Sequence, residues 1–132
     1  MAFNPPSRIV VLKVVADDAA FPSVADGVMY FTVPPELNGY KLTSIGAHVY
    51  SASDGGTAIN IDLFNVTDGQ DMLSTALTID NNETDSSTAN TPAAINASYD
   101  DVATADVLRI DINQEGANAE GCEIRMGFTY PA

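Results

Sequence analysis

The sequence has no tryptophan, only one histidine and one cysteine, and few basic residues. A single cysteine, Cys122, excludes an intrachain disulfide, and one histidine with one cysteine is too few for a transition-metal cluster. The five basic residues are scattered singly among 18 acidic ones, which gives a net charge of −13. Because no basic patch is available to neutralise phosphates, binding to nucleic acid or to an anionic membrane is unfavourable.

Long apolar runs are missing as well. The run Ile9–Leu12 is far too short to cross a bilayer. Residues Met1–Ser7 have neither the charged start nor the apolar stretch of a signal peptide. We therefore expect a soluble protein that is assembled in the cytoplasm of the cell that makes it.

The composition that remains is typical of a folded domain. Hydrophobic residues make up 45% and charged residues 17% of the 132 residues. A chain of this length buries roughly two-thirds of the surface that it exposes when unfolded. The segment Asn4-Pro5-Pro6 favours an extended backbone. We therefore predict an extended N-terminal arm over residues 1–7 and a single domain over residues 8–132.

Apolar and polar residues alternate along much of the chain, which is the period of a β-strand with one buried face. Strands are predicted at Arg8–Val15, Val28–Val33, Tyr40–Ser51, Ala58–Val66, Ala105–Asn113 and Cys122–Tyr130. A further short strand is predicted within Leu73–Ile79, at Ala76–Ile79, and a short strand or an irregular piece at Pro92–Ile95. Loops are predicted at Ala16–Ala25 and Asn81–Thr91, and Asp54-Gly55-Gly56 predicts a hairpin turn. The predicted fold is all-β: a single-domain antiparallel β-sandwich, jelly-roll-like, with an immunoglobulin-like sandwich as the alternative.

Catalytic constellations are poorly supported by the residue pattern. A Ser–His–Asp triad would have to use His48 with neighbours such as Ser44, Ser51 and Asp54, but one strand cannot present all three members. The acid pair Asp100-Asp101 is adjacent in sequence, and adjacent strand residues point to opposite faces. We therefore predict no catalytic residues and a protein that is not an enzyme.

Bound cofactors and metals are not predicted either. Calcium is the only metal considered, because several aspartates lie in or near loops and could supply oxygen ligands. None of these aspartates follows the spacing of a calcium-binding loop. No glycine-rich phosphate loop is present. Cys122 falls on the apolar face of the last strand, where a buried and inert thiol is expected.

Two stretches of the second half of the chain carry a family resemblance. The run DMLSTALTIDNNETDSSTANTPAAI, from Asp71 to Ile95, is followed by DDVATADVLRIDI, from Asp100 to Ile112. This pattern resembles a group of small structural proteins and appended domains of tailed-phage capsids and tail fibres. The likeness extends over Asn65–Ile112, somewhat more than a third of the chain.

The resemblance implies a capsid decoration (cement) protein. Such a protein binds the major capsid protein on the exterior of the virion, as a homotrimer at three-fold positions, and stabilises the head. It is made in the host cytoplasm. The alternative is a receptor- or glycan-binding module of a phage tail or fibre, although the lack of tryptophan disfavours a glycan site.

Contacts with the capsid or with other subunits require apolar or aromatic residues outside the core pattern. In the N-terminal arm the candidates are Phe3, Pro5 and Pro6. In the domain they are Tyr40, Tyr50 and Phe64. We expect these six residues to contribute to such contacts.

Overall fold

The computed structural model describes residues 6–132, and most of their regular structure is β-strand. The strands are β1 (Ser7–Ala20), β2 (Ala25–Thr32), β3 (Lys41–His48), β4 (Ile59–Asn65), β5 (Gln70–Asp71), β6 (Leu73–Thr75), β7 (Leu77–Ile79), β8 (Ala94–Ile95), β9 (Val107–Gln114) and β10 (Glu120–Thr129). Two single 3₁₀ turns lie at Pro35–Leu37 and Ser86–Thr88. Within residues 6–132, no helix has the length and apolar character needed to cross a bilayer.

The long strands form two antiparallel sheets. The three-stranded sheet has the order β1-β10-β3, and the five-stranded sheet has the order β2-β9-β4-β5, with β7 also paired to β4. Strands β6 and β8 form a separate small pair. The first four strands alternate between the two sheets, as in a jelly roll, whereas the first two strands of an immunoglobulin-like sandwich share a sheet. The predicted all-β antiparallel sandwich with jelly-roll topology is confirmed.

The core lies between the two sheets and is made by the residues that the period of two assigns to it. Strand β9 contributes Leu108, Ile110 and Ile112, which are fully buried. Strand β4 contributes its alternate residues in the same way. The facing sheet contributes four buried residues of β10, which are Cys122, Ile124, Met126 and Phe128. The inward faces predicted from alternation are therefore the faces that pack.

Two local predictions were wrong, one at the end of a strand and one in the pairing of strands. The predicted loop Ala16–Ala25 is shorter, because β1 continues to Ala20 and pairs there with Glu120 after two register shifts. The turn at Asp54-Gly55-Gly56 does not close a hairpin, because β3 and β4 belong to different sheets. The short strand predicted at Ala76–Ile79, within Leu73–Ile79, corresponds to β7, and β6 precedes it and pairs with a different strand.

Asp111 also departs from its prediction, because it is buried although alternation places it on the polar face of β9. The Arg109 guanidinium donates to both of its carboxylate oxygens, at 2.8 and 3.0 Å. The backbone N–H of Gly27, in the irregular part of β2, donates to it at 2.8 Å. A buried carboxylate is tolerated when it is paired and hydrogen-bonded in this manner.

Candidate functional site

Among residues 6–132, one edge of strand β1 has no partner. On one side it pairs with β10 from Ser7↔Thr129 to Lys13↔Glu123. On the other side, the backbone of residues 6–132 provides no strand partner and no inter-segment hydrogen bond. The opposite edge of the same sheet is covered, because loop carbonyls accept from the N–H groups of Leu42 and Val49 at 2.8 Å each. The unpaired edge of the three-stranded sheet is therefore that of β1.

The side chains of β1 are apolar on both faces of the strand. Ile9 and Val11 point away from the sandwich and are 67% and 54% exposed. Their neighbours Val10, Leu12 and Val14 point inward and are only partly buried against the core. Continuous apolar runs are typical of strands that are covered on both faces, whereas β1 is covered on one. We call the exposed side chains of Ile9 and Val11, together with the open edge of Ser7–Lys13, the β1 surface.

The outer face of the sheet has a depression beside Ile9, because a glycine lies at the paired position on β10. Ile9 pairs with Gly127 on β10, and a side chain at that position would collide with the Ser44 hydroxyl. The resulting shallow depression has a volume of about 280 Å³. Its lining residues are Ile9, Ser44, Ile45, Gly46, Arg125, Met126 and Gly127. The outer face of the sheet thus offers a ridge on β1 next to a depression on β10 and β3.

A network of polar side chains lies at the Lys13 end of the outer face of the three-stranded sheet. The Lys13 ammonium group bonds to the Asp17 carboxylate and to the Tyr50 hydroxyl, and it lies 4.6 Å from the centre of the Tyr50 ring. The hydrogen bond that Lys13 donates to Asp17 is the largest of the effects that raise the pKa of Lys13. The Tyr50 hydroxyl in turn donates to Glu123 at 3.3 Å. Lys13 and the first register shift of β1 mark the end of the regularly paired part of the strand.

The only histidine belongs to a second polar group on the same sheet. His48 Nδ1 lies 3.0 Å from Asp85 Oδ2, and an Arg125 nitrogen lies 3.3 Å from the same oxygen. Partial burial by itself would raise the pKa of Asp85, but hydrogen bonds from the Ser87 N–H and from His48 outweigh it and lower the pKa to about 2. These contacts hold the loop that contains Asp85 against the edge of β3.

The residues considered for a triad have other partners. Ser51 Oγ donates to Glu120 at 3.4 Å, and the Asp54 carboxylate accepts from Asn118 at 2.7 Å. His48 bonds to Asp85, a loop aspartate that was not among the residues considered for a triad. Within residues 6–132, no group of three or more His, Cys, Asp and Glu side chains is arranged to hold a metal ion. The Cys122 thiol is buried, as predicted, and burial raises its pKa to about 12.

Most of the negative charge lies in the segments between strands and not in the sheets. The strands of the three-stranded sheet contain four of the five basic residues and four acidic ones, so their formal charge is zero. The four basic residues are Arg8, Lys13, Lys41 and Arg125, and the four acidic residues are Asp17, Asp18, Glu120 and Glu123. The rest of the chain therefore carries the whole formal charge of −13. The β1 surface thus lies on a sheet whose strands have no net charge to repel another acidic molecule.

The contact residues predicted from the sequence lie in different parts of the structure. Phe3 and Pro5 lie outside the described residues, and Pro6 is exposed, with its carbonyl accepting from the Tyr130 N–H at 2.9 Å. Tyr40 was expected outside the core but is buried, with its ring 5.3 Å from that of Tyr130. It therefore offers little surface to a partner.

The other two aromatic candidates lie on different sheets. Tyr50 is 45% exposed beside the three-stranded sheet, where it contacts Lys13. Phe64 is half-buried on β4 of the five-stranded sheet, with the Arg109 guanidinium 4.6 Å from its ring centre. Only Tyr50 borders the β1 surface.

Sequence reasoning missed Ile9 and Val11, which are the most exposed apolar residues of β1. The available signal was that Ile9–Leu12 is apolar at every position, and so cannot have one polar face. Comparisons with models of known protein families, with curated proteins and with solved structures found no match to this chain.

Proposed function

We propose that this protein is a capsid decoration protein that binds the major capsid protein on the exterior of a tailed-phage virion, as a homotrimer, and stabilises the head without catalysing a reaction. The observation that carries the proposal is the β1 surface, through which copies of this chain can join into the oligomer that engages the capsid. Within the described residues it combines an unpaired strand edge and two exposed apolar side chains on a sheet whose strands carry no net formal charge, in a strongly acidic domain.

The division of charge suits a protein that coats a large assembly. The neutral sheet can approach another protein without net repulsion, while the acidic remainder of the surface stays hydrated and resists nonspecific association. A small domain buries modest area against one capsid subunit. An oligomer that engages several subunits at once gains effective concentration, so that weak contacts add up to tight attachment.

The proposal is tested by counting the protein in purified virions with quantitative mass spectrometry. Hundreds of copies per particle are expected for a capsid decoration protein. A handful of copies would instead support the alternative, a receptor- or glycan-binding module of a tail or fibre. Absence from the particle would overturn both.

A second experiment tests the stabilising role. Heads that lack the protein are incubated with purified wild-type chain and then heated, and release of DNA is followed by dye fluorescence. Bound protein is expected to raise the temperature of release. Saturating occupancy with no change in that temperature would contradict a role in stabilising the head.

A further inference from the structure

We infer that the β1 surface is where copies of this chain contact one another, so that in the assembled protein the three-stranded sheet of a second copy covers β1. This inference rests on the proposed function only in expecting three copies. The contact itself follows from residues of the chain.

The first argument is the mismatch between the sequence of β1 and its environment. This part of the strand is apolar on both faces, with Ile9 and Val11 pointing outward and Val10 inward. The outer face is nevertheless exposed to solvent in the described residues. Natural proteins protect open strand edges with charges and irregularities. Strand β1 has both features only from Lys13 onward, where a lysine and the first register shift occur together. From Ser7 to Lys13 its ladder with β10 runs regularly, and Arg8 is the one charge ahead of Lys13.

The second argument identifies the occupant. A second copy carries a charge of −13, so most approaches between two copies are opposed by like charge. The strands of the three-stranded sheet contain equal numbers of acids and bases, so a second copy that approaches over this sheet meets less of that repulsion. The depression beside Gly127 lies on that same sheet and is of a size to receive a branched aliphatic side chain such as Val11 from a neighbour. The sheet thus supplies both the ridge and the hollow of a contact between copies.

The test is the molar mass of the purified full chain by light scattering coupled to size exclusion, from about 1 to 500 μM. The wild type is expected to form an oligomer. The double variant Ile9→Asp with Val11→Asp is expected to dissociate at least about a hundredfold more readily, because each position loses apolar burial and gains a desolvated charge. Val24→Asp with Val66→Asp is the matched control, since these valines are comparably exposed elsewhere, at 58% and 41%. The control is expected to keep the wild-type mass.

Cross-linking provides a readout that does not depend on weakening the interface. In a Cys122→Ser background, Val11→Cys is expected to form an intermolecular disulfide or to react with a short bis-maleimide linker, whereas Val24→Cys is not. A wild-type monomer at every concentration would overturn the inference, as would an oligomer that responds equally to both double variants. A monomer would remove the homotrimer from the proposed function but not the attachment to the capsid, which the copy count in virions tests separately, so the two failures are distinguishable.

Discussion

The side chain of Asn65 holds together a buried junction between the end of β4 and two loops. Its amide nitrogen donates to the carboxylates of Asp68 and Asp106 at 3.2 Å each, and its carbonyl oxygen accepts from the Asp68 N–H at 3.1 Å. Asn65 and Asp106 are both buried. One amide therefore lies between two carboxylates and donates to both, and Asp106 also accepts from the Ala103 N–H at 3.1 Å.

Replacing Asn65 with Asp is expected to lower the free energy of unfolding by at least about 3 kcal/mol at pH 7, because a buried charge is left without compensation beside two others. The difference in the free energy of unfolding between the wild type and Asn65→Asp should become smaller below pH 5, as the carboxylates take up protons. Urea denaturation across this pH range measures it. Asn90→Asp adds the same charge at an exposed position, and a similar loss there would contradict the local explanation.

The contacts of Asp85 predict how one residue contributes to acid stability. Its pKa in the folded protein is about 2, below the ordinary value of 3.8, so the folded state favours the ionised form. The stabilisation is fully present above about pH 4 and is lost as the pH falls through 2. Since Asp85 and Arg125 are partly exposed to solvent, we expect a contribution of about 1 kcal/mol.

Comparison of the wild type with Asp85→Asn measures this contribution directly. The difference between their free energies of unfolding should be constant from pH 7 to 5 and then shrink towards zero between pH 4 and 2, because a protonated aspartate resembles asparagine. A difference that is unchanged at pH 2 would show that the ionised form of Asp85 is not what the fold stabilises.

At the scale of secondary-structure elements, the two long strands of the three-stranded sheet are in different situations. Strand β10 is central and pairs with β1 on one side and β3 on the other. Strand β1 pairs on one side only. Amide hydrogens that face an open edge exchange with solvent without any breakage of the ladder, whereas those of a central strand exchange only when the sheet opens.

Hydrogen exchange at the lowest workable concentration is therefore expected to show slow exchange along β10. Alternate amides of Ser7–Lys13 should exchange at least about tenfold faster than their β10 neighbours. Raising the protein concentration should slow these β1 amides selectively if copies associate through this edge. Uniform protection of β1 in dilute solution would mean that another segment of the chain pairs with it.

At the scale of the whole molecule, the dominant feature is the net charge of −13. Acidic groups in the loops and on the five-stranded sheet repel one another within a copy and between copies. Salt shortens the range of this repulsion, from about 30 Å at 0.01 M to about 3 Å at 1 M. The ion pairs that salt would weaken are few in number, because the chain has only five basic residues.

We therefore expect added NaCl to raise both the unfolding temperature and the association constant between copies over 0.01–0.3 M. Differential scanning fluorimetry and sedimentation at matched protein concentrations measure the two effects. Association that weakens with salt would indicate a contact based on opposite charges, which the neutral sheet does not predict. Sucrose at equal osmolality serves as the uncharged control.

The sequence by itself determined the fold class and the inward faces of the strands. Alternation of period two is a local property: Leu108, Ile110 and Ile112 share a face whatever strand lies beside them. The sequence also showed the excess of acidic residues and predicted a buried, unreactive thiol at Cys122. No distant part of the chain has to be known for any of these inferences.

Only the tertiary structure decided which strand edge is open, which polar residues are buried and which sheet is neutral. Strand β1 pairs with β10 through partners as distant as Ser7 and Thr129, and no local pattern encodes that choice. The same long-range pairing brings four scattered basic residues onto one sheet. Burial of Asp111 and Tyr40 depends on Arg109, Gly27 and Tyr130, whose positions the fold sets. The inward face of a strand is set by residues that are neighbours in the sequence. Which strand edge is unpaired, and which surface is exposed, is set by the packing of segments that are far apart in the chain.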